Sequence, residues 1–142
     1  MTEPVFQPEG SNYCVLACIA SVTGHPLYHV IDIAVSLDID IEVGVSLAEE
    51  YAIFQKLDYD KHIIIHSIMS PCLFADRTYL VTVPSLSIKG GLHRIVIQCK
   101  LENGICTPVI HDTQPVGERY GITQQLVSFV EVVEIVYTNL KL

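Results

Sequence analysis

The dipeptide Asn103-Gly104 constrains the fold more than any other feature of this sequence. It separates two short runs rich in β-branched and other apolar residues, residues 92–99 and residues 105–111. Asn and Gly both tolerate positive φ, so this pair favours the tight two-residue turn of an antiparallel hairpin. The second half of the chain is therefore predicted to contain a β-hairpin.

The hairpin register determines which side chains share a face of the sheet. A two-residue turn makes His93 face Gln114, with Asp112 as its diagonal neighbour. A loop centred one residue earlier makes His93 face Asp112 directly. In both registers the two side chains lie on one face with Cβ atoms about 5 to 8 Å apart. An imidazole beside a carboxylate is thus predicted, and such a carboxylate can orient the ring as a base for a thiol.

The opposite face of the same hairpin carries different side chains. Arg94 and Gln98 lie on that face and are expected to reach solvent. His111 is the rival imidazole, but it precedes Asp112 by one residue and therefore points to that opposite face. The alternation leaves His93 as the better partner for Asp112.

The other elements follow from local signals. Thr23-Gly24 ends an apolar helical run, and Ser46 with Glu49 forms a capping box. The predicted helices span residues 13–23, 27–37, 46–57 and 123–129. The predicted strands span residues 61–69, 78–83, 92–99, 105–111 and 130–137. Helices first and antiparallel strands afterwards indicate an α+β class.

Composition limits the function classes. The chain has 142 residues, of which 50% are apolar and 17% are charged, as expected for one domain covering residues 1–142. The formal net charge of −8 argues against a nucleic-acid ligand. No apolar run reaches about 18 residues, so no membrane span is expected. The mean hydropathy of +0.42 leaves room for an apolar interface in a homo-oligomer.

The cysteines and the N-terminus indicate the compartment. The number of cysteines, five, is odd, and the first residues lack the basic and apolar regions of a signal peptide. Both observations favour free thiols in a reducing compartment, and a cytoplasmic location is expected. Cys14 differs from the other four because it lies at the start of a predicted helix, where free backbone N–H groups and the helix dipole favour a thiolate.

Three short motifs carry a resemblance to a known superfamily. They are residues 7–18 (QPEGSNYCVLAC), residues 92–97 (LHRIVI) and residues 109–115 (VIHDTQP). In this order they resemble the nucleophile helix, the His-bearing strand and the Asp-bearing strand end of papain-like and C39-like cysteine peptidases. The N-terminal part, through residues 24–27 (GHPL), is similar to a group of uncharacterised small phage and bacterial proteins of this superfamily.

The resemblance implies a papain-like fold with N-terminal helices packed on an antiparallel sheet. It implies Cys14 as the nucleophile, His93 as the base and acid, and Asp112 as the orienting group. Gln7 would donate to the oxyanion together with the Cys14 backbone N–H. The implied activity is cysteine-dependent hydrolysis or acyl transfer at a peptide, isopeptide or amide bond of a peptide or protein substrate, without a cofactor.

The sequence departs from the family pattern near the nucleophile. Gln7 precedes Cys14 by seven residues, where the family usually has six. Asn12 is an alternative oxyanion donor, or it caps the helix and competes for the same N–H groups. Tyr13 either lines the substrate cleft or packs. Asp112-Thr113 replaces the usual Asp-Pro.

Two other function classes compete with the enzyme. One is a metal site, because several potential ligands cluster in the sequence: His93, Cys99, Cys106, His111 and Asp112. Their spacing lacks the usual Cys-x-x-Cys or His-x-x-x-His pattern, so no metal is expected. The other is a catalytically inactive papain-like binding or inhibitor protein, in this case phage-encoded, that engages a host protein.

Overall fold

The computed structural model describes residues 4–59, 63–66, 78–86, 90–115, 120 and 131–135. Within these ranges three helices precede five strands. The helices are α1 (Cys14–Thr23), α2 (Leu27–Ser36) and α3 (Leu47–Lys56). The strands are β1 (Ile63–His66), β2 (Thr78–Pro84), β3 (Leu92–Glu102), β4 (Ile105–His111) and β5 (Glu131–Ile135). The strands form one antiparallel sheet in the order β1-β5-β2-β3-β4, which confirms the predicted α+β class.

Local signals explain where the helices begin and end. At the start of α3, the Ser46 hydroxyl accepts the Glu49 N–H and the Glu49 carboxylate accepts the Ser46 N–H, which confirms the capping box. At the end of α1, Gly24 adopts a left-handed φ of 75°, which costs a residue without Cβ little. The helix predicted at residues 123–129 lies outside the described residues.

The β3–β4 hairpin has the register of a two-residue turn. Glu102 pairs with Ile105 and Val96 pairs with His111. Asn103 and Gly104 have φ values of 51° and 78°, the positive pair that a type I′ turn requires. This register confirms that His93 and Asp112 are diagonal neighbours on one face, while His111 lies on the other.

The helices cover one face of the sheet centre. From Leu16 to its end, α1 is buried, and it packs against β3 while α2 and α3 pack on α1. Leu80 and Val96 join the helical core on this side. On the other face, Tyr79, Ile95 and Ile97 belong to a second buried cluster. Because both faces are covered, the centre of the sheet is a rigid support for residues at the ends of its strands.

Arg94 corrects one expectation. It was expected to reach solvent, but its side chain is 3% exposed and forms a buried ion pair with Glu50 of α3. The guanidinium binds this carboxylate through Nη2 at 2.5 Å and Nε at 3.2 Å, and its Nη1 donates to the Thr82 hydroxyl at 2.6 Å. The expectation was wrong because strand alternation separates two faces but does not reveal that helices cover the second one. Gln98, on the same face, is partly exposed.

Two further findings concern the chain as a whole. Within the described ranges no single helix is long and apolar enough to cross a membrane, although α1 and α2, bent by 119° at their junction, pass that test as a pair. Cys14, Cys18 and Cys99 are free cysteines, in agreement with the expected free thiols.

Candidate active site

A hydrogen bond between the ring of His93 and the carboxylate of Asp112 forms the centre of the site. His93 is the second residue of β3, and Asp112 directly follows β4. The His93 Nε2 lies 2.6 Å from Asp112 Oδ1, with side chains 13% and 1% exposed. A carboxylate oxygen only accepts, so Nε2 carries the proton and Nδ1 is left for another partner.

Two backbone N–H groups hold the Asp112 carboxylate in place. Gln114 N donates to Oδ1 at 2.9 Å, and Tyr120 N donates to Oδ2 at 2.7 Å. Burial alone would raise the pKa of Asp112, but the His93 hydrogen bond and these N–H groups outweigh burial and lower it below the ordinary value. Asp112 is therefore ionised at neutral pH and oriented toward His93.

Cys14 is the second partner of His93. The thiol lies close enough to the ring to affect its pKa, and Nδ1 is the ring nitrogen that Asp112 does not use. Burial alone lowers the pKa of His93, but the Asp112 hydrogen bond and the neighbouring Cys14 outweigh burial and raise the pKa to about 9. The imidazole is thus readily protonated at neutral pH, and its positive charge lies next to the thiol.

Cys14 is the first residue of α1, so its backbone N–H lies at the helix N-terminus, where N–H groups have no intrahelical partner. Tyr13 occupies the N-cap position of α1, and its side chain makes no capping hydrogen bond. Asn12 precedes the N-cap residue, and its amide Nδ2 donates to the carbonyl of Glu42 at 2.7 Å, so Asn12 is not the capping residue. Asn12 therefore does not compete with an oxyanion for the N–H groups of this helix.

Gln7 lines the same cavity as Cys14 despite the extra residue between them. A turn absorbs that residue: Ser11 N and the Ser11 hydroxyl both bond to the Pro8 carbonyl, and Gly10 has a φ of 74°. Gln7 is 4% exposed, and its side-chain Nε2 donates to the Ser11 carbonyl at 3.0 Å. The side-chain amide is therefore ordered within the same site.

Of the two predicted substrate-binding residues, Asn12 lines the cavity beside Cys14 and Tyr13 does not belong to its lining. Both contact Glu42: the Asn12 side-chain amide donates to the Glu42 backbone carbonyl, and the Tyr13 hydroxyl donates to the Glu42 carboxylate at 2.6 Å. That hydrogen bond raises the pKa of Tyr13. Tyr13 packs partly against the helical core.

A cavity of about 650 Å³ lies beside Cys14 and His93. Its walls come from the segment before α1, the loop that leads into α3 and the ends of β2 and β3. Residues that line it include Gln7, Ser11, Asn12, Val45, Glu49 and Leu92. Pockets that take small organic ligands have volumes of about 300 to 1,000 Å³, so a substrate segment of a few groups fits here.

Residues that the sequence did not predict as part of the site support it. Glu50 and Arg94 form the buried ion pair under the cavity, and Arg94 also lines it. The Cys18 thiol donates to the Arg94 carbonyl at 3.4 Å, and burial raises the pKa of Cys18 well above its ordinary value. Cys18 is therefore an unreactive thiol that joins α1 to β3. The bond from Gln114 N to Asp112 is an Asx turn, which the sequence Asp-Thr-Gln could have indicated.

A metal centre was the competing interpretation of the clustered His, Cys and Asp residues in the sequence. Within the part of the chain that the structure describes, no three His, Cys, Asp or Glu side chains form a group able to hold a metal ion. Comparison of the chain with protein families, with curated proteins and with solved structures finds no match.

Proposed function

We propose that this protein is a cysteine-dependent hydrolase or acyl transferase that acts on a peptide, isopeptide or amide bond, with Cys14, His93 and Asp112 as its triad. One observation carries the proposal: the His93 ring bonds to the buried Asp112 carboxylate through Nε2, and Cys14 lies on the same cavity, close enough to raise the pKa of the ring. A thiol, an imidazole and a carboxylate in this order form the arrangement that activates a sulfur nucleophile.

The proposed reaction has two halves, the acylation of Cys14 and its deacylation. His93 takes the Cys14 proton, and the thiolate sulfur attacks the substrate carbonyl carbon. The Gln7 amide and the Cys14 backbone N–H donate to the resulting oxyanion. His93 then gives its proton to the leaving amine as the C–N bond breaks, which leaves a thioester on Cys14. Water, or a second amine in a transferase, attacks the thioester while His93 accepts its proton, and the thiolate leaves.

The proposal extends to the fold, for which we infer a papain-like arrangement. In support, the nucleophile begins a buried helix, and that helix packs on an antiparallel sheet whose strand ends carry the base and its orienting acid. The uncapped first turn of α1 and the adjacent cavity support the same inference.

The alkylation rate of Cys14 against pH tests the proposed function. Peptide mass spectrometry would follow iodoacetamide labelling of each cysteine in wild type, in His93→Ala and in His29→Ala, an exposed histidine that serves as the matched control. An ordinary thiol is less than about 1% thiolate at pH 6, so its rate falls steeply below pH 8. We expect Cys14 to react faster at pH 6 than the other cysteines, in wild type and in His29→Ala.

The substitution His93→Ala should restore the steep pH dependence of an ordinary thiol. A Cys14 that reacts no faster at pH 6 than the other cysteines, or whose rate is the same in His93→Ala, would contradict the proposal. That result would favour the inactive binding or inhibitor protein, which needs the cavity but no activated thiol.

A further inference from the structure

Thr113 connects the two sides of the candidate site. It directly follows Asp112, is fully buried, and its hydroxyl donates to the Gln7 side-chain Oε1 at 2.9 Å. Its backbone carbonyl also accepts the Gln7 N–H at 3.0 Å. One residue therefore attaches the segment that carries Gln7 to the strand end that carries the orienting carboxylate.

The contacts determine which way the Gln7 amide faces. The Ser11 carbonyl can only accept, so the amide nitrogen must face it at 3.0 Å. The amide oxygen then faces the opposite side, where the Thr113 hydroxyl donates to it. Because these two bonds use the amide oxygen and one N–H, the second N–H of the Gln7 amide remains to donate to a ligand. Gln7 and Cys14 line the same cavity.

We propose that Thr113 is a positioning residue for the oxyanion donor, and this inference rests on the proposed function. The Thr113 hydroxyl holds the Gln7 amide so that its remaining N–H is available to the oxyanion that forms on a carbonyl bound next to Cys14. A hydroxyl is required for this role, so Ser can replace Thr113 but the isosteric Val cannot. The proton transfer between Cys14 and His93 does not depend on the hydroxyl.

Two probes of Cys14 separate these steps. Iodoacetamide alkylates the sulfur by direct displacement, without an oxyanion. p-Nitrophenyl acetate acylates it through a tetrahedral oxyanion and releases p-nitrophenolate, which is followed by absorbance while mass spectrometry confirms acetyl-Cys14. The variants are Thr113→Val, Thr113→Ala, Thr113→Ser and Gln7→Ala, with Thr23→Val as a control for loss of a buried hydroxyl at the far end of α1.

We expect Gln7→Ala to lower the acylation rate by about 100-fold, the loss measured for one oxyanion donor. Thr113→Val should lower it by about 10-fold, because the amide is displaced rather than removed. Thr113→Ser and Thr23→Val should keep the wild-type acylation rate. The alkylation rate of Cys14 should be unchanged in every variant, which also reports an intact fold around the thiol.

Three results would overturn the inference. In the first, Thr113→Val is acylated at the wild-type rate. In the second, the acylation rate and the alkylation rate of Thr113→Val fall equally, and Thr113→Ser does not restore them. If Thr113→Val does not fold, Thr113→Ala gives the same test. In the third, Cys14 of the wild type is no more reactive than the other thiols toward either probe, which overturns the proposed function as well and so distinguishes the two failures.

Discussion

The substitution Asp112→Asn tests how strongly the carboxylate holds the His93 imidazolium. It keeps the shape of the side chain and removes the charge 2.6 Å from the ring nitrogen. The pKa of His93 is raised from 6.5 to about 9 against the opposing effect of burial, with Asp112 making the strongest favourable bond. At about 1.4 kcal/mol per pH unit, this rise corresponds to about 3 kcal/mol in favour of the protonated ring.

The sign of the effect on stability follows from linkage. The pKa of His93 is higher in the folded than in the unfolded chain, so the folded state binds the proton more tightly. The resulting stabilisation is complete below pH 6.5 and is lost as the pH rises toward 9. Wild type should therefore lose up to about 3 kcal/mol from this group between those values, and Asp112→Asn should lose much less.

Two measurements follow the prediction. A histidine-ring NMR titration gives the midpoint of His93, which should be near 9 in wild type and fall toward or below 6.5 in Asp112→Asn. Urea unfolding at pH 6, 7.5 and 9 gives the stability difference between the two proteins, which should shrink with rising pH. A His93 midpoint near 6.5 in wild type, or one unchanged by the substitution, would refute the reasoning.

Three further predictions concern the support of the site. Arg94→Leu should destabilise the fold by about 3 to 5 kcal/mol in urea unfolding because it leaves Glu50 charged and buried, and Arg94→Leu with Glu50→Leu should recover most of that loss; equal losses in both would contradict this. Gly104→Ala should cost about 1 kcal/mol in the same assay because φ is 78°, although Cβ meets open space; no loss would exclude backbone strain. Ser46→Ala should lower the free energy of urea unfolding by about 1 kcal/mol because the helix cap is lost. The alkylation rate of Cys14 should be unchanged in this variant.

Local signals in the sequence were sufficient for the secondary structure. The Ser46–Glu49 capping box and the Asn103-Gly104 turn involve partners at most three residues apart. Their geometry depends on backbone conformations that each residue type prefers by itself. For this reason the element order and the class could be predicted, and the hairpin could be narrowed to two registers that both place His93 and Asp112 on one face; the structure has the register of the two-residue turn.

Burial on the second face of the sheet could not be predicted in the same way. Arg94 alternates with apolar neighbours along β3, and alternation alone suggested solvent. Glu50, its ion-pair partner, lies on a helix far away in the sequence. A buried charge is tolerated only where such a partner is present, and a single strand contains no information about that partner.

The sequence by itself therefore determined the local elements and, through the two-residue periodicity of strands, the common face of His93 and Asp112. Only the tertiary structure decided which groups meet them. Packing of α1 on β3 brings Cys14 close to the His93 ring, and Thr113 joins Gln7 to the same site. These contacts link segments far apart in the chain, and their geometry depends on how whole elements pack rather than on the preferences of neighbouring residues.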